Sequence, residues 1–269
     1  MFKSDFTSER LDNLSDPEYR RFNAVSKSSL DQFAKSPAHY KHVILDGNRP
    51  ALTSAMFLGS AFDTLLLTPD LFGETYAVVP DIRRGTKAWD EFVAQNPGKH
   101  LIKTDEMEQI NSMVISLRKH PEASKLLTDG VPQVSFKWRD AQSGLLCKGR
   151  ADYVKGSTVI DVKTTQNAGP NEFSKSIAAF RYHVQAAYYL EAMAQTGHKV
   201  SDDFLFVAVE KEPPYLVAVY KLDHEALSLG MATFSSELQH LARCLKRDEW
   251  PGYATGIDTI GLPKWALYS

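Results

Sequence analysis

The sequence predicts an α/β (α+β) fold in which a central mixed β-sheet is flanked by helices. Three observations predict it. Strand-type and amphipathic helical segments alternate along most of the 269 residues. Residues 144–154 and 158–165 both have strand composition, and Gly156-Ser157 between them is a natural two-residue turn. Residues 223–247 carry Leu227, Met231, Phe234, Leu238 and Leu241 at helical spacing, which predicts one long helix with those side chains on its buried side.

Taken in order, residues 1–24 mix acidic, basic and polar types without a period and are expected as a flexible N-terminal arm. Residues 25–269 are expected as a single domain, since a chain of this length can bury one large core. Residues 29–45 read as helix, interrupted at Ser36-Pro37 because proline cannot continue the hydrogen-bond ladder. Residues 52–67 are a helix stopped by Thr68-Pro69, and 75–79 a short strand. Residues 86–95 form a short helix ending before Pro97. Thr104 is expected to cap a long helix whose first turn holds Asp105, Glu106 and Glu108, where the helix dipole favours anions. That helix stops near His120-Pro121. Residues 131–139 then pair with 145–154, and 204–209 pair with 216–221 around Glu212-Pro213-Pro214. Between these hairpins, residues 182–195 form an amphipathic helix stopped by Gly197.

Composition excludes several classes. Two cysteines, Cys147 and Cys244, cannot build a disulfide framework or a four-cysteine iron–sulfur cluster. No apolar run approaches the roughly 18 residues of a membrane span, and no signal-peptide pattern opens the chain, so cytoplasm is the expected location. A net charge of −2 does not announce a nucleic-acid binder, so any such contact has to be local. His39 and His183 lack the histidine or cysteine partners of a zinc site.

The chemistry concentrates on the hairpin around Gly156. If Gly156 and Ser157 make the turn, Asp152 faces Asp161 across the strands, and like charges there are unfavourable without a cation. Lys163 projects from the same face as Asp161, while Ile160 and Val162 point into a core. Two hard oxygen ligands suit Mg²⁺ or Mn²⁺. Such an ion polarises a phosphoryl oxygen and acidifies water, and a neighbouring lysine can position or activate that water. The other reading of the same residues is a self-neutralising surface patch, with Arg150 opposite Lys163. Downstream, Gln185 and Tyr189 are four apart and share a helix face. The segment with Arg83, Arg84, Lys87 and Trp89 combines cations and an aromatic ring, which suits phosphate contact or base stacking.

The order hairpin, Asp161-Val162-Lys163, then Gln185 and Tyr189 on a helix resembles the PD-(D/E)-x-K nuclease superfamily in its RecB-like branch. Several segments narrow the resemblance to RecE-type phage exonucleases (exodeoxyribonuclease VIII), relatives of phage lambda exonuclease. These are Ser28-Ser29-Leu30, Ser36-Pro37-Ala38-His39-Tyr40, residues 59–69, residues 146–152, residues 182–187 and Leu262-Pro263-Lys264-Trp265-Ala266. The resemblance implies a restriction-endonuclease-like core. It implies a Mg²⁺-dependent exonuclease that degrades the 5′-ended strand of linear duplex DNA and leaves 3′ single strands for annealing. It places Asp152, Asp161, the Val162 carbonyl and Asp63 on the metal, Lys163 on the water, and Gln185 and Tyr189 on the scissile strand or the metal shell. The family carries a histidine where this chain has Asp63, and often a glutamate where it has Gln133. Gln133 is therefore expected near the site but off the metal. Arg150 is expected to reach a phosphate. Further implications are a bacterial host cell, a ring of three or four subunits, and a RecT- or Red-beta-like annealing partner.

Overall fold

A computed structural model describes residues 8–201 and 203–262. Strand β1 (Glu9–Leu11) is followed by helices α1 (Asp16–Arg21), α2 (Lys27–Lys35), α3 (Pro37–Tyr40) and α4 (Ser54–Leu67), then by α5 (Phe72–Thr75), β2 (Tyr76–Val79) and α6 (Lys87–Gln95). Next come β3 (His100–Lys103), α7 (Thr104–Lys119), α8 (Pro121–Leu126), β4 (Val131–Arg139), β5 (Leu146–Lys155) and β6 (Thr158–Thr165). The chain continues through α9 (Pro170–Ala179), α10 (Tyr182–Gln195), β7 (Phe204–Glu210), β8 (Val217–Lys221) and α11 (His224–Arg247).

Six strands make one sheet in the order β1-β4-β5-β6-β7-β8. Its neighbours are antiparallel except β6 and β7, which run parallel. A parallel pair needs a long crossover, and α9 and α10 supply it. The sheet is therefore mixed, as the sequence predicts. A separate two-stranded parallel sheet joins β2 and β3. Helices cover both faces. On one, Val184, Tyr188, Phe234, Leu238 and Leu241 of α10 and α11 bury against Phe136, Trp138, Cys147 and Phe206. On the other, Phe62 of α4 and Ile110, Met113 and Leu117 of α7 bury against Ile160, Val162, Val207 and Val209. Ile160 and Val162 are thus core residues, as their alternation predicts.

Several expectations are corrected. Within the predicted N-terminal arm, residues 9–11 form the edge strand against β4, tied by the Glu9–Lys137 ion pair, and 16–21 form a helix capped by Ser15. Strand β1 is too short to show a period, and its partner sets it. Residues 1–7 of that arm, and residues 263–266 of the motif starting at Leu262, lie outside the described residues. The cap of α7 is Lys103 rather than Thr104, whose hydroxyl instead donates to the Val79 carbonyl at 3.1 Å. On α11 the expected Met231 is exposed and Leu227 only half-buried, while Gly230 is buried. A Cβ at Gly230 would lie 2.2 Å from the His183 carbonyl oxygen. The two long helices meet at that glycine, so the helix turns Met231 outward.

Candidate active site

The β5–β6 hairpin forms as expected at its turn end. Gly156 has φ of +59°, and Lys155↔Thr158, Val154↔Val159 and Tyr153↔Ile160 are paired. Pairing stops there. Asp152 does not face Asp161 as a ladder partner; instead its Oδ2 accepts a hydrogen bond from the Val162 amide at 2.9 Å. The β4–β5 ladder is also interrupted at Asp152, opposite Gln133, whose φ of +50° takes the backbone out of the strand conformation. Asp152 therefore sits at a break in the ladders on both sides. Beyond it β6 leaves β5 and continues along β7.

The break holds the charged residues. Asp161 is fully buried. Its Oδ1 accepts from Gln185 Nε2 at 2.6 Å, and its Oδ2 lies 2.6 Å from Lys163 Nζ. The structure thus brings Asp161, Lys163 and Gln185 into direct contact, with Asp152 joined through the Val162 amide. Asp63 reaches the site from α4, which passes over β6 with Gly59 beside Thr164. Asp63 and Asp152 both line a cavity of about 620 Å³. Tyr189 is set against β5 by Gly149, where a Cβ would be only 3.1 Å from the ring.

Electrostatics follow from this crowding. Burial, then the Asp161 charge, pushes the Asp152 carboxyl up to about 7, against the opposing pull of Lys163 and the Val162 amide. Burial and the charge of Asp152 raise Asp63 well above the ordinary carboxylate range. For Lys163, burial favours the neutral amine, but Asp161 and Asp152 outweigh it and raise its pKa. The Tyr189 hydroxyl is also raised, mainly by burial.

These residues fit a divalent cation. Among the described residues, nothing but the Lys163 ammonium donates to the buried Asp161 Oδ2. The cavity wall holds Asp12, Asp16, Asp63 and Asp152 against Arg20 and Arg150, so carboxylates outnumber guanidinium groups. Among the described residues no group of three His, Cys, Asp or Glu side chains is placed to hold a metal ion, so Asp63, Asp152 and Asp161 do not stand together as a ready ligand set. A divalent ion that keeps several waters needs only one or two carboxylates from the protein.

The predicted DNA contacts divide. Arg150 lines the cavity but does not face Lys163, because the strands have already parted. Its guanidinium donates to Ser135 Oγ at 2.9 Å and the Leu14 carbonyl at 2.9 Å, pairs with Asp16 at 3.3 Å, and lies 4.3 Å from the Tyr19 ring centroid. It ties the N-terminal segment over the site. Arg83, Arg84 and Lys87 are not among the residues lining this cavity. Arg84 stacks on Trp89 near Val79 and Lys103, and Lys87 pairs with Glu91 at 3.5 Å; at the other end of the β2–β3 sheet Tyr76 and His100 line the cavity. Gln133 lines the cavity, near the site as expected. Histidines 39 and 183 hydrogen-bond locally, His39 to Ser36 at 2.7 Å and His183 to the Ile177 carbonyl at 3.4 Å.

Sequence reasoning missed Tyr182, whose ring lies 4.7 Å from Lys163 Nζ, and the wall formed by residues 12–16. Tyr182 had a signal: it precedes Gln185 by three and so shares its helix face. The wall had none, since its placement depends on Arg150, far along the chain.

A family description, "PDDEXK-like domain of unknown function (DUF3799)", matches residues 26–263. The chain belongs to this PDDEXK-like family. A crystal structure from Eubacterium rectale, described as "Putative exonuclease", superposes with a TM-score of 0.63. That match covers 95% of this chain and 98% of the other at 17% identity, so it shows the shared fold. A crystal structure of SSO0001 matches at a TM-score of 0.30 and 19% identity, over 53% of this chain and 64% of that one, and carries no argument. Comparison with curated proteins returns no match. Membership of the PDDEXK-like family accounts for the fold, a mixed sheet flanked by helices. No described helix is long and apolar enough to cross a membrane.

Proposed function

We propose that this chain is a divalent-metal-dependent nuclease that shortens linear duplex DNA from its ends, removing the 5′-ended strand in the 5′→3′ direction and releasing mononucleotides. The observation that carries the reading is Asp161, buried between Lys163 and Gln185 and beside Asp152, at the break in the sheet. PDDEXK-like membership supports phosphodiester hydrolysis, and the name of the Eubacterium rectale neighbour supports exonucleolytic action. The resemblance to RecE-type exonucleases supports the polarity, the 3′ single-stranded product, a ring of three or four subunits and a RecT- or Red-beta-like annealing partner.

Asp152, Asp161, the Val162 carbonyl and Asp63 would hold Mg²⁺, and Mn²⁺ would suit the same oxygens. The ion supplies Lewis-acid polarisation of the phosphoryl oxygen and acidifies a water. Lys163, kept charged by Asp161, offers N–H donors that orient the attacking water or a phosphate oxygen. Gln185 fixes the Asp161 carboxylate through Oδ1, and Tyr189 backs the same face. Arg150 and the residue 12–16 wall bound the space the strand enters.

The test uses linear duplex DNA labelled at one 5′ end, with Mg²⁺ or EDTA, comparing the native chain with Lys163→Ala. Mg²⁺-dependent release of labelled mononucleotide that vanishes in the variant is expected. Cutting of covalently closed circles would replace the exonuclease with an endonuclease. DNA that is bound but intact in every lane would leave a DNA-end binding protein.

A further inference from the structure

The Lys163 ammonium has two neighbours of different kinds. Asp161 Oδ2 lies 2.6 Å from Nζ, and the centroid of the Tyr182 ring lies 4.7 Å from the same atom. A cation at that distance over an aromatic face is attracted by the ring quadrupole. We propose that Tyr182 is a positioning residue whose ring face seats the Lys163 ammonium against Asp161, and that Arg181 holds the ring in place. The inference rests on the cleavage reading above.

The ring is fixed from several sides. Phe180 stacks on it at 5.6 Å, and Phe206 packs at 5.8 Å. Arg181, immediately before it, adopts the left-handed conformation at φ +56° and so sets the direction in which α10 starts. Its guanidinium is gripped by Asp31 of α2 at 3.1 Å and Glu237 of α11 at 2.5 Å. Lys27 of α2 pairs with Asp31 at 2.9 Å and donates to the Phe180 carbonyl at 3.0 Å. The corner between α9 and α10 is thus tied to two other helices. Lysine is a compact charge on a flexible four-carbon stem, so a fixed ring beside a fixed carboxylate narrows where its head can sit.

The experiment compares Tyr182→Phe, Tyr182→Leu and a series carrying one, two or three fluorines on phenylalanine at position 182. Phenylalanine keeps the ring and is expected to retain the rate. Leucine is expected to lower kcat about tenfold with KM changed less than about twofold, the size of one lost cation–π contact. Fluorination leaves the ring's shape and packing nearly unchanged while draining its quadrupole, so kcat is expected to fall stepwise with each fluorine. A flat fluorine series, or leucine matching phenylalanine, overturns the proposal. The fluorinated proteins keep it testable should Tyr182→Leu fail to fold. A second readout does not use cleavage: ring current from Tyr182 shifts the Lys163 ε-methylene protons upfield in proton NMR, and Tyr182→Leu is expected to remove the shift. An unshifted wild-type signal overturns the seating. Failure of the native chain to cut DNA with Mg²⁺ overturns the cleavage reading, and is seen before any variant is compared.

Discussion

The two ends of the β5–β6 hairpin are built from the same two strands and do opposite things. At the turn end, Tyr153, Val154, Val159 and Ile160 pair their backbones and bury apolar side chains. At the far end the ladder stops, and Asp152, Asp161 and Lys163 occupy the opening. The difference shows how a sheet can hold a reactive group. Stability is concentrated where pairing is complete, and the charged cluster is placed where the ladder has already released its backbone groups. The Val162 amide, freed from pairing with β5, becomes a donor to Asp152.

Substitutions at the two ends should therefore separate activity from stability. The largest effect is expected for Asp161→Asn, which keeps the shape but removes the charge from metal and lysine. DNA cleavage under saturating Mg²⁺ should drop by about a thousandfold or more, within the range of lost catalytic groups. Its counterpart, Val159→Ala at the fully buried turn end, should lower stability by about 2 kcal/mol in urea denaturation. Its kcat should stay near wild type. Comparable losses of activity from both would break the comparison.

Next in size is a pH effect confined to the open end. The Asp152 carboxyl is raised to about 7, chiefly by burial and then by Asp161, so the folded protein holds a proton that the unfolded chain releases near pH 4. By linkage, that contribution is fully present below about pH 4 and is lost as pH rises through about 7. Protein stripped of divalent ions should show a Tm that declines between about pH 5 and 8, and Mg²⁺ should reverse the decline at the upper end. An unchanged Tm on adding Mg²⁺ at pH 8 would contradict a cation site there.

The smallest effect tests the wall. Arg150→Lys keeps a charge but cannot make the forked contacts to Ser135, Leu14 and Asp16. A loss of about 1 kcal/mol is expected, seen as faster amide exchange over residues 14–20 with the core unaffected.

Much of this arrangement was legible in the sequence because it is local. Gly156-Ser157 fixed the turn, alternation sent Ile160 and Val162 inward, and helical spacing put Gln185 and Tyr189 on one face, which only the resemblance tied to Asp161. What was hidden depended on partners distant in sequence. Strand β1 exists because β4 offers an edge, and α9 follows Pro170 without a strong cap or a long period. The break at Asp152 coincides with the positive φ of Gln133 in β4 on one side and with β6 continuing along β7 on the other. A pairing rule extrapolated from the turn therefore placed Asp152 opposite Asp161, and Arg150 opposite Lys163, where the ladder no longer exists. Asp63 could be tied to the others only by resemblance, since nothing in the helix itself says which strand it overlies.

The Arg150 contacts to Leu14 and Asp16 also impose an order on synthesis. The outer wall is made first, but its anchor leaves the ribosome much later, and Gln185 later again. At ordinary elongation speeds the interval from Asp16 to Gln185 is roughly 10–30 s. For most of that time the wall residues are present without Arg150, and Asp161 and Lys163 then emerge together ahead of the Gln185 amide. A chain truncated before β7 lacks the strand that β6 pairs with from Val159 to Thr165. On the proposed cleavage reading, fragments released early should therefore be inactive.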